Sequence, residues 1–324
     1  MQKISNILLP SNYPSEKSMQ NCQQTKSNYE PELWEFEYEG YRYLQNISDL
    51  ELTKRYKDIC RNFEVLTTEE RQTIPINISQ SSWYWYRKEH QTRYEFFLRG
   101  KPISPIVKPR IDSNNFFNDS LSYKTLVRYD KLERIKALYD FGRIKINPAS
   151  RYKEGQEDDP RVDNELEKTK FYMGKHVELE TLDGQKIPII GDMKKILSSS
   201  NYYAYCLSYD LDLRMFKEFA YDACLVIKSP DVFIQKLEKA IKRYIPNWYF
   251  YYGPISYYDP RHHHEKEYLM PGDCKDFSFA YQKEYRLLWD PLKPTSVDQQ
   301  ILQPIKIEIG SLHDISTIYT YSKK

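Results

Sequence analysis

Bulky aromatic residues alternate with other residues in segment 277–289 (FSFAYQKEYRLLW), a pattern typical of a half-buried β-strand. With a period of two, one face of this strand carries Gln282, Glu284 and Arg286, roughly 7 Å apart in succession. Glu and Gln are poor strand formers, so strand stability does not explain the row. The simpler interpretation is a solvent-facing strand with an ordinary Glu–Arg pair.

The same reading predicts further elements in the second part of the chain. Strands are expected at 125–129, 143–146, 202–208, 223–227, 249–258 and 305–309. A helix at 131–140 ends near Gly142, and a helix at 230–244 begins at Pro230 with Phe233, Leu237 and Ile241 on its buried side. Strands dominate, so we expect an α+β domain with a mixed or antiparallel sheet.

The first third of the chain has a different pattern. Residues 1–30 are rich in Ser, Asn, Gln and Pro and are expected to be a flexible lead-in. Apolar residues then recur at helical spacing until Pro102, Pro105 and Pro109 interrupt them. We therefore predict a mainly helical, aromatic-rich region at 1–118 and an α+β domain at 119–324.

Composition narrows the class of protein. The 324 residues are 40% hydrophobic, which supports a real core, and the ten glycines argue against a glycine-rich nucleotide fold. The net charge of +2 is too small to indicate DNA or a membrane surface as a partner. Five scattered cysteines without a CxxC spacing indicate neither a zinc ribbon nor a disulfide framework. With no signal peptide and no long apolar run, we expect a cytoplasmic protein without a membrane partner.

Four residues carry a family resemblance. Arg128 lies at the end of the first predicted strand, Ser208 ends the central strand, and Gln282 precedes Glu284 by two residues on the late strand. This order resembles the Arg/Ser/Gln-x-Glu group of mono-ADP-ribosyltransferases over roughly residues 123–320. The resemblance implies an ADP-ribosyltransferase-like α+β fold, with NAD as the substrate and a macromolecule (RNA, DNA or protein) as the acceptor. It also implies a bacterial toxin, effector or anti-phage defence protein, for which a neutralising antitoxin is a candidate partner.

The resemblance assigns roles to two catalytic residues. Breaking the nicotinamide–ribose bond of NAD develops positive charge on the ribose, and the carboxylate of Glu284 would stabilise it. Gln282 would touch the acceptor group. In the family, a Gln at this position is associated with acceptors other than arginine, including amides and nucleobases.

The resemblance also suggests four residues that hold NAD. Arg128 would clamp the pyrophosphate in the bidentate geometry that a guanidinium favours. Ser208 would support Glu284 by a hydrogen bond. Tyr129 or Tyr152 would stack on the nicotinamide ring.

A second class of function remains open. The segment 83–88 (WYWYRK) interleaves aromatic and basic residues, which could stack on unpaired bases or form an aromatic core element with basic flanks. The alternative function is therefore an RNA-binding, single-strand-binding or interaction module with a catalytically inactive transferase-like scaffold.

Metal and thiol chemistry are less favoured. The run 262–264 (HHH) fits a solvated loop better than a zinc site, because consecutive histidines cannot all face one ion. Asp158, Asp159, Asp163 and Glu165 could bind magnesium in a nuclease, but interleaving with a basic residue favours a self-paired loop. We therefore predict no metal site. Cysteines 206 and 224 lie on apolar strands and are expected to be core residues rather than nucleophiles.

Overall fold

The computed structural model describes residues 31–67, 82–103, 125–153, 164–261, 270–292 and 302–321. The chain divides into two compact units, residues 1–107 and 108–324. The domain boundary expected near residue 118 lies outside the described residues. No helix among the described residues combines the length and the apolar character needed to cross a membrane.

The smaller unit is helical in its described residues. It contains α1 (Pro31–Tyr41), α2 (Asp49–Thr67) and α3 (Ser82–Leu98). Segment 83–88 falls within α3, where Tyr84, Trp85 and Tyr86 are buried. These three rings therefore belong to the core of the unit, as the aromatic core interpretation has it.

The larger unit contains a sheet with helices against it. Its described strands are β1 (Leu126–Asp130), β2 (Arg143–Pro148), β3 (Glu167–Met173), β4 (Leu179–Glu180), β5 (Lys186–Ile187), β6 (Asp192–Ser198), β7 (Tyr203–Ser208), β8 (Ala223–Ile227), β9 (Trp248–Pro254), β10 (Ser256–Tyr258), β11 (Cys274–Asp276), β12 (Glu284–Pro291), β13 (Ile305–Glu308) and β14 (Ser316–Thr320). Its helices are α4 (Leu132–Phe141), α5 (Leu213–Glu218) and α6 (Pro230–Ile241).

Eight of these strands form one sheet, and every pair in it is antiparallel. The order is β13-β2-β7-β1-β8-β14, while β12 pairs with β7 and β9 pairs with β12. Because β12 covers one edge of β7 from Tyr203 to Ser208, β2 and β1 share the other edge. There β2 pairs at Tyr203 and Ala204 and β1 pairs at Ser208, so the sheet splits between them.

The two faces of the sheet have different neighbours. On one face, Val127 and Tyr129 of β1 pack with Phe216 of α5 and with Tyr281. On the other face, the ring of Tyr205 contacts that of Phe233 in α6, with 6.3 Å between centroids. Side chains of successive strand residues alternate between these two environments.

The predicted α+β class with an antiparallel sheet is confirmed. The strand expected at 223–227 is β8, residue for residue. Helix α6 begins at Pro230 and buries Phe233, Leu237 and Ile241 as predicted, although it ends at Ile241 rather than at 244. Gly142 ends α4 in the left-handed conformation, with φ +63°.

The prediction of a continuous strand over 277–289 is wrong for its first half. Phe277–Gln282 is a 3₁₀ segment, and the strand β12 begins only at Glu284. The side chain of Asp276 accepts a hydrogen bond from Ser278 N at 2.8 Å, which starts the turn, and Lys283 follows in the left-handed region with φ 47°. The aromatic alternation in 277–282 therefore does not define two faces of a strand.

Candidate functional site

The centre of the site is the strand β7 with its two neighbours. Glu284, the first residue of β12, lies opposite Ser208 in the register, and Val127 of β1 lies opposite Ser208 on the other edge. Residues directly opposite each other point to the same face, so Glu284 and Ser208 share a face. Arg128 follows Val127 and therefore leaves β1 on the opposite face.

The carboxylate of Glu284 is buried between two cations. It accepts from Arg286 Nε at 2.6 Å and from Lys275 Nζ at 3.2 Å, and the residue is only 4% exposed. Burial alone would raise the pKa of this carboxyl. Arg286 and Lys275 outweigh burial and hold the pKa of Glu284 well below its usual range, so the group is an anion at neutral pH.

Lys275 also joins Glu284 to the other residue of the predicted catalytic pair. Its ammonium group donates to Gln282 Oε1 at 3.0 Å. The side chains of Gln282 and Glu284 therefore meet at one cation, although the backbone between them is a turn rather than a strand. Lys275 lies in β11, seven residues before Gln282 in the sequence, and the sequence pattern gave no reason to single it out.

A second carboxylate completes the arrangement. Glu165 Oε1 accepts from Arg286 Nη2 at 2.7 Å and lies 3.5 Å from Lys275 Nζ, while Glu165 Oε2 lies 3.6 Å from Lys168 Nζ. We name these buried residues the Glu284 cluster: Glu165, Lys168, Lys275, Gln282, Glu284 and Arg286.

The partners of Glu165 also bear on the acidic-loop hypothesis. Among the described residues, Glu165 faces cations, and no group of three metal-ligating side chains occurs. Asp158, Asp159 and Asp163, like the histidines 262–264, lie outside the described residues.

The ion pairs of the Glu284 cluster are expected to add little to the stability of the fold. Two carboxylates and three cations are removed from water, and their mutual attraction roughly compensates for the lost hydration. Apolar residues of similar size would stabilise a core at least as well. Buried ionised groups with strongly shifted pKa values are typical of functional sites, which makes this cluster the candidate site.

Cys206 connects the Glu284 cluster with Arg128. Its carbonyl oxygen accepts from Arg128 Nη1 at 2.7 Å. Its thiol lies close enough to the carboxylate of Glu284 for each group to shift the pKa of the other. Burial and the neighbouring Glu284 raise the pKa of the Cys206 thiol well above its usual range. The thiol is therefore protonated, in line with the expected core role rather than that of a nucleophile.

Ser208 holds the turn before Glu284. Its hydroxyl lies 2.9 Å from the carbonyl oxygen of Asp210 and 3.3 Å from that of Lys283. It makes no hydrogen bond to the Glu284 carboxylate within the described residues. Ser208 therefore acts on the position of Glu284 through the backbone of Lys283.

The two tyrosines have different environments. Tyr129 is buried edge-on against Phe216, with 5.1 Å between centroids, and its hydroxyl accepts from Asp212 N at 2.7 Å. Tyr152 is half-buried in the 3₁₀ segment Ala149–Lys153. Burial, Cys206 and the carboxylates of the Glu284 cluster raise the pKa of Tyr152, while Arg128 lowers it. Tyr152 thus lies within electrostatic range of both Arg128 and Glu284, and Tyr129 is a core residue.

Arg128 lines a cleft of about 760 Å³ at the split of the sheet. Its guanidinium lies over the ring of Tyr205, 5.0 Å from the centroid, and 3.7 Å from Asp130 Oδ2. No residue of the Glu284 cluster lines this cleft. The structure therefore brings Gln282 and Glu284 together but does not bring Arg128 into a pocket with them.

Comparison of the chain with protein-family profiles, with curated proteins and with solved structures found no match.

Proposed function

We propose that the larger unit is an NAD-dependent mono-ADP-ribosyltransferase in which Glu284 is the catalytic carboxylate and Gln282 orients the acceptor. The observation that carries this proposal is the ammonium group of Lys275, which bonds to both side chains at 3.0 and 3.2 Å. The Gln-x-Glu pair of the resembled family is therefore a pair in space as well as in sequence. Of the two, Glu284 lies in the sheet, on the same face as Ser208.

The electrostatics suit the proposed chemistry. Cleavage of the nicotinamide–ribose bond has a transition state with positive charge on the ribose, and a fixed anion lowers its free energy. Arg286 and Lys275 keep Glu284 ionised at neutral pH, so that no other group has to remove a proton from it. Because Glu284 is 4% exposed, the substrate ribose must displace Lys275 from one carboxylate oxygen, while Arg286 continues to hold the other.

The remaining predicted residues then act indirectly. Ser208 positions Glu284 through the Lys283 turn, and Arg128 positions the edge of β7 through the carbonyl oxygen of Cys206. The acceptor is a macromolecule, RNA, DNA or protein, and the biological role is that of a toxin, effector or anti-phage protein. A neutralising antitoxin is a partner consistent with that role.

The test uses the full chain with NAD labelled on its adenylate, in the presence of a bacterial lysate that supplies RNA, DNA and protein acceptors. We expect nicotinamide release and labelled macromolecules with the parent, and a loss of at least 100-fold with Glu284→Gln. Gln282→Ala should reduce labelling far more than nicotinamide release, because Gln282 contacts the acceptor. Glu180→Gln, at an exposed position of β4, is the matched control.

Removing the Glu284 charge leaves Arg286 without one of its partners, so the fold of each variant is checked by circular dichroism. Glu284→Asp provides a second variant that keeps the charge and moves it by one methylene. Equal nicotinamide release by the parent and by a folded Glu284→Gln variant would exclude Glu284 as the catalytic residue.

A second function is favoured by one observation. Both oxygens of the Glu284 carboxylate are bonded to cations, one to Arg286 and the other to Lys275, as in a structural core. A catalytically inactive, transferase-like scaffold that binds RNA or another partner would have this arrangement. The same assay decides, since this function requires that the parent releases no nicotinamide from NAD.

A further inference from the structure

The cleft at the split of the sheet is separate from the Glu284 cluster. One wall is formed by β1 and α4, and the other by β2 and β13, with Tyr205 of β7 between them. Its volume of about 760 Å³ lies within the range of small-molecule sites. Because no residue of the Glu284 cluster lines it, an inference about this cleft does not rest on the proposed transferase activity.

The lining of the cleft is strongly basic. Five cationic and two anionic side chains line it, a surplus of three positive charges. Asp130 is shared by Arg128 and Arg134, at 3.7 and 3.3 Å, and Glu308 pairs with Arg143 at 2.7 Å. The remaining cations are the two lysines of the β2–β13 wall.

Lys145 and Lys306 are direct partners in the register of β2 and β13. Cα atoms of such partners are about 5 Å apart, and like charges placed opposite each other destabilise a sheet. Both side chains are exposed at the cleft, and neither ammonium group pairs with a carboxylate of the described residues. A bound phosphate group would convert this repulsion into two attractive contacts.

The inner part of the cleft offers surfaces for an organic group. Buried Ile135 and Leu138 form an apolar wall, and the rings of Tyr205 and Tyr244 also line the cleft. The side-chain oxygen of Asn147 is buried at the cleft without a hydrogen-bond partner in the described parts of the chain. A ligand that donates an N–H group would satisfy this oxygen.

We propose that this cleft binds a nucleoside phosphate, with its phosphates on Lys145 and Lys306 and its base directed toward Asn147 and the tyrosine rings. The phosphate accounts for the like-charged pair, and the exocyclic amine of a base accounts for the Asn147 oxygen. A nucleic acid fits less well. The basic residues line a recess between two walls rather than an extended surface, and the net charge of the chain is only +2.

The experiment is calorimetric titration of the full chain with ADP, pyrophosphate and adenosine at low salt. We expect ADP to bind more tightly than either fragment. The double variant Lys145→Gln/Lys306→Gln should bind ADP at least tenfold more weakly. The matched control Lys194→Gln/Lys195→Gln removes two exposed lysines of β6 that do not line the cleft and should bind ADP like the parent.

One further variant tests the direction of the charge effect. Glu308→Gln releases Arg143 from its ion pair and should tighten ADP binding several-fold. The proposal is overturned if the two lysine pairs affect ADP binding equally, or if the parent gives no binding heat with millimolar ADP. It is also overturned if a single-stranded oligonucleotide binds at Lys145 and Lys306 more tightly than ADP does.

Discussion

Gln282 and Glu284 accept hydrogen bonds from one ammonium group, that of Lys275, at 3.0 and 3.2 Å. On a regular strand, residues two positions apart have Cα atoms roughly 7 Å apart, and their side chains point to the same face. The strand backbone alone would then place the two side chains side by side. Here the left-handed Lys283 separates them, and Lys275 restores the pairing. Lys275 is thus the residue on which the geometry of the candidate site depends most directly.

Lys275→Met should destabilise the larger unit strongly. The change removes one of three cations from the Glu284 cluster and leaves two buried carboxylates with less compensation. Breaking a buried pair in this way costs about 3–5 kcal/mol in the free energy of unfolding. Urea denaturation measures it, with Lys194→Met at an exposed site as the control, for which a change within about 0.5 kcal/mol is expected. If Lys275→Met lowered the free energy of unfolding as little as Lys194→Met, the ion pairs of Lys275 would contribute no stability.

Lowering the pH should reduce the free energy of unfolding of the parent protein, partly because Glu284 becomes protonated. Its pKa in the folded state is held below the ordinary value of about 4.3, so its contribution to stability is complete above that pH and is lost as the pH falls below it. Glu284→Gln cannot titrate, and its free energy of unfolding should therefore fall less steeply between about pH 5 and pH 3. Urea midpoints across this range test the prediction. The free energy of unfolding of the control Glu180→Gln should depend on pH as steeply as that of the parent. An equally steep dependence for Glu284→Gln would contradict the prediction.

Local patterns in the sequence predicted elements whose stability is also local. The apolar run 223–227 is a buried strand with a neighbour on each side, and Pro230 with Phe233, Leu237 and Ile241 defines a helix by its own spacing. The ribbon of β3 and β6 was missed because its charged sequence lacks an apolar alternation. Its inward positions include Lys168, which is buried through its contact with Glu165.

Distant contacts account for what the sequence did not predict at the site. Lys283 is held in its left-handed conformation by ion pairs to Asp210 and Asp212, at 2.6 and 3.4 Å, from a different part of the chain. Arg286 and Glu165 are 121 residues apart in sequence and 2.7 Å apart in space. No periodicity within segment 277–289 carries that information, so Glu284 and Gln282 could be selected from sequence but their partners could not.

Gly142→Ala should be more destabilising than an ordinary left-handed glycine substitution. Gly142 has φ +63°, and a Cβ there would lie 2.3 Å from Gly310 O, a backbone atom that cannot move aside easily. The left-handed conformation alone costs about 1–2 kcal/mol for a residue with a side chain. Gly184→Ala, with φ +84° and open space around it, should show only that cost. Thermal or urea unfolding compares the two, and equal effects would argue against the close approach of Gly310.

Three thiols, buried at Cys224 and Cys274 and half-buried at Cys206, should resist alkylation in the folded protein. Burial raises the pKa of Cys224 and Cys274 to about 12, and the pKa of Cys206 is raised further by burial and by Glu284. Because only the thiolate reacts, iodoacetamide at pH 8 should modify these residues at least 100-fold more slowly than it does in urea. Mass spectrometry of tryptic peptides measures each rate. Rapid labelling of Cys206 in the native protein would show that it is reactive and accessible.

The last two strands that the structure describes lie at opposite ends of the β13-β2-β7-β1-β8-β14 order, β13 beside β2 and β14 beside β8. During synthesis, both flanks of the growing sheet therefore stay open until the ribosome has released residues 305–320. Unpaired flanks recruit other chains, so a nascent or truncated product is exposed to aggregation for as long as that release takes. Premature stop codons before residue 305 should accordingly yield insoluble protein rather than a shorter folded one.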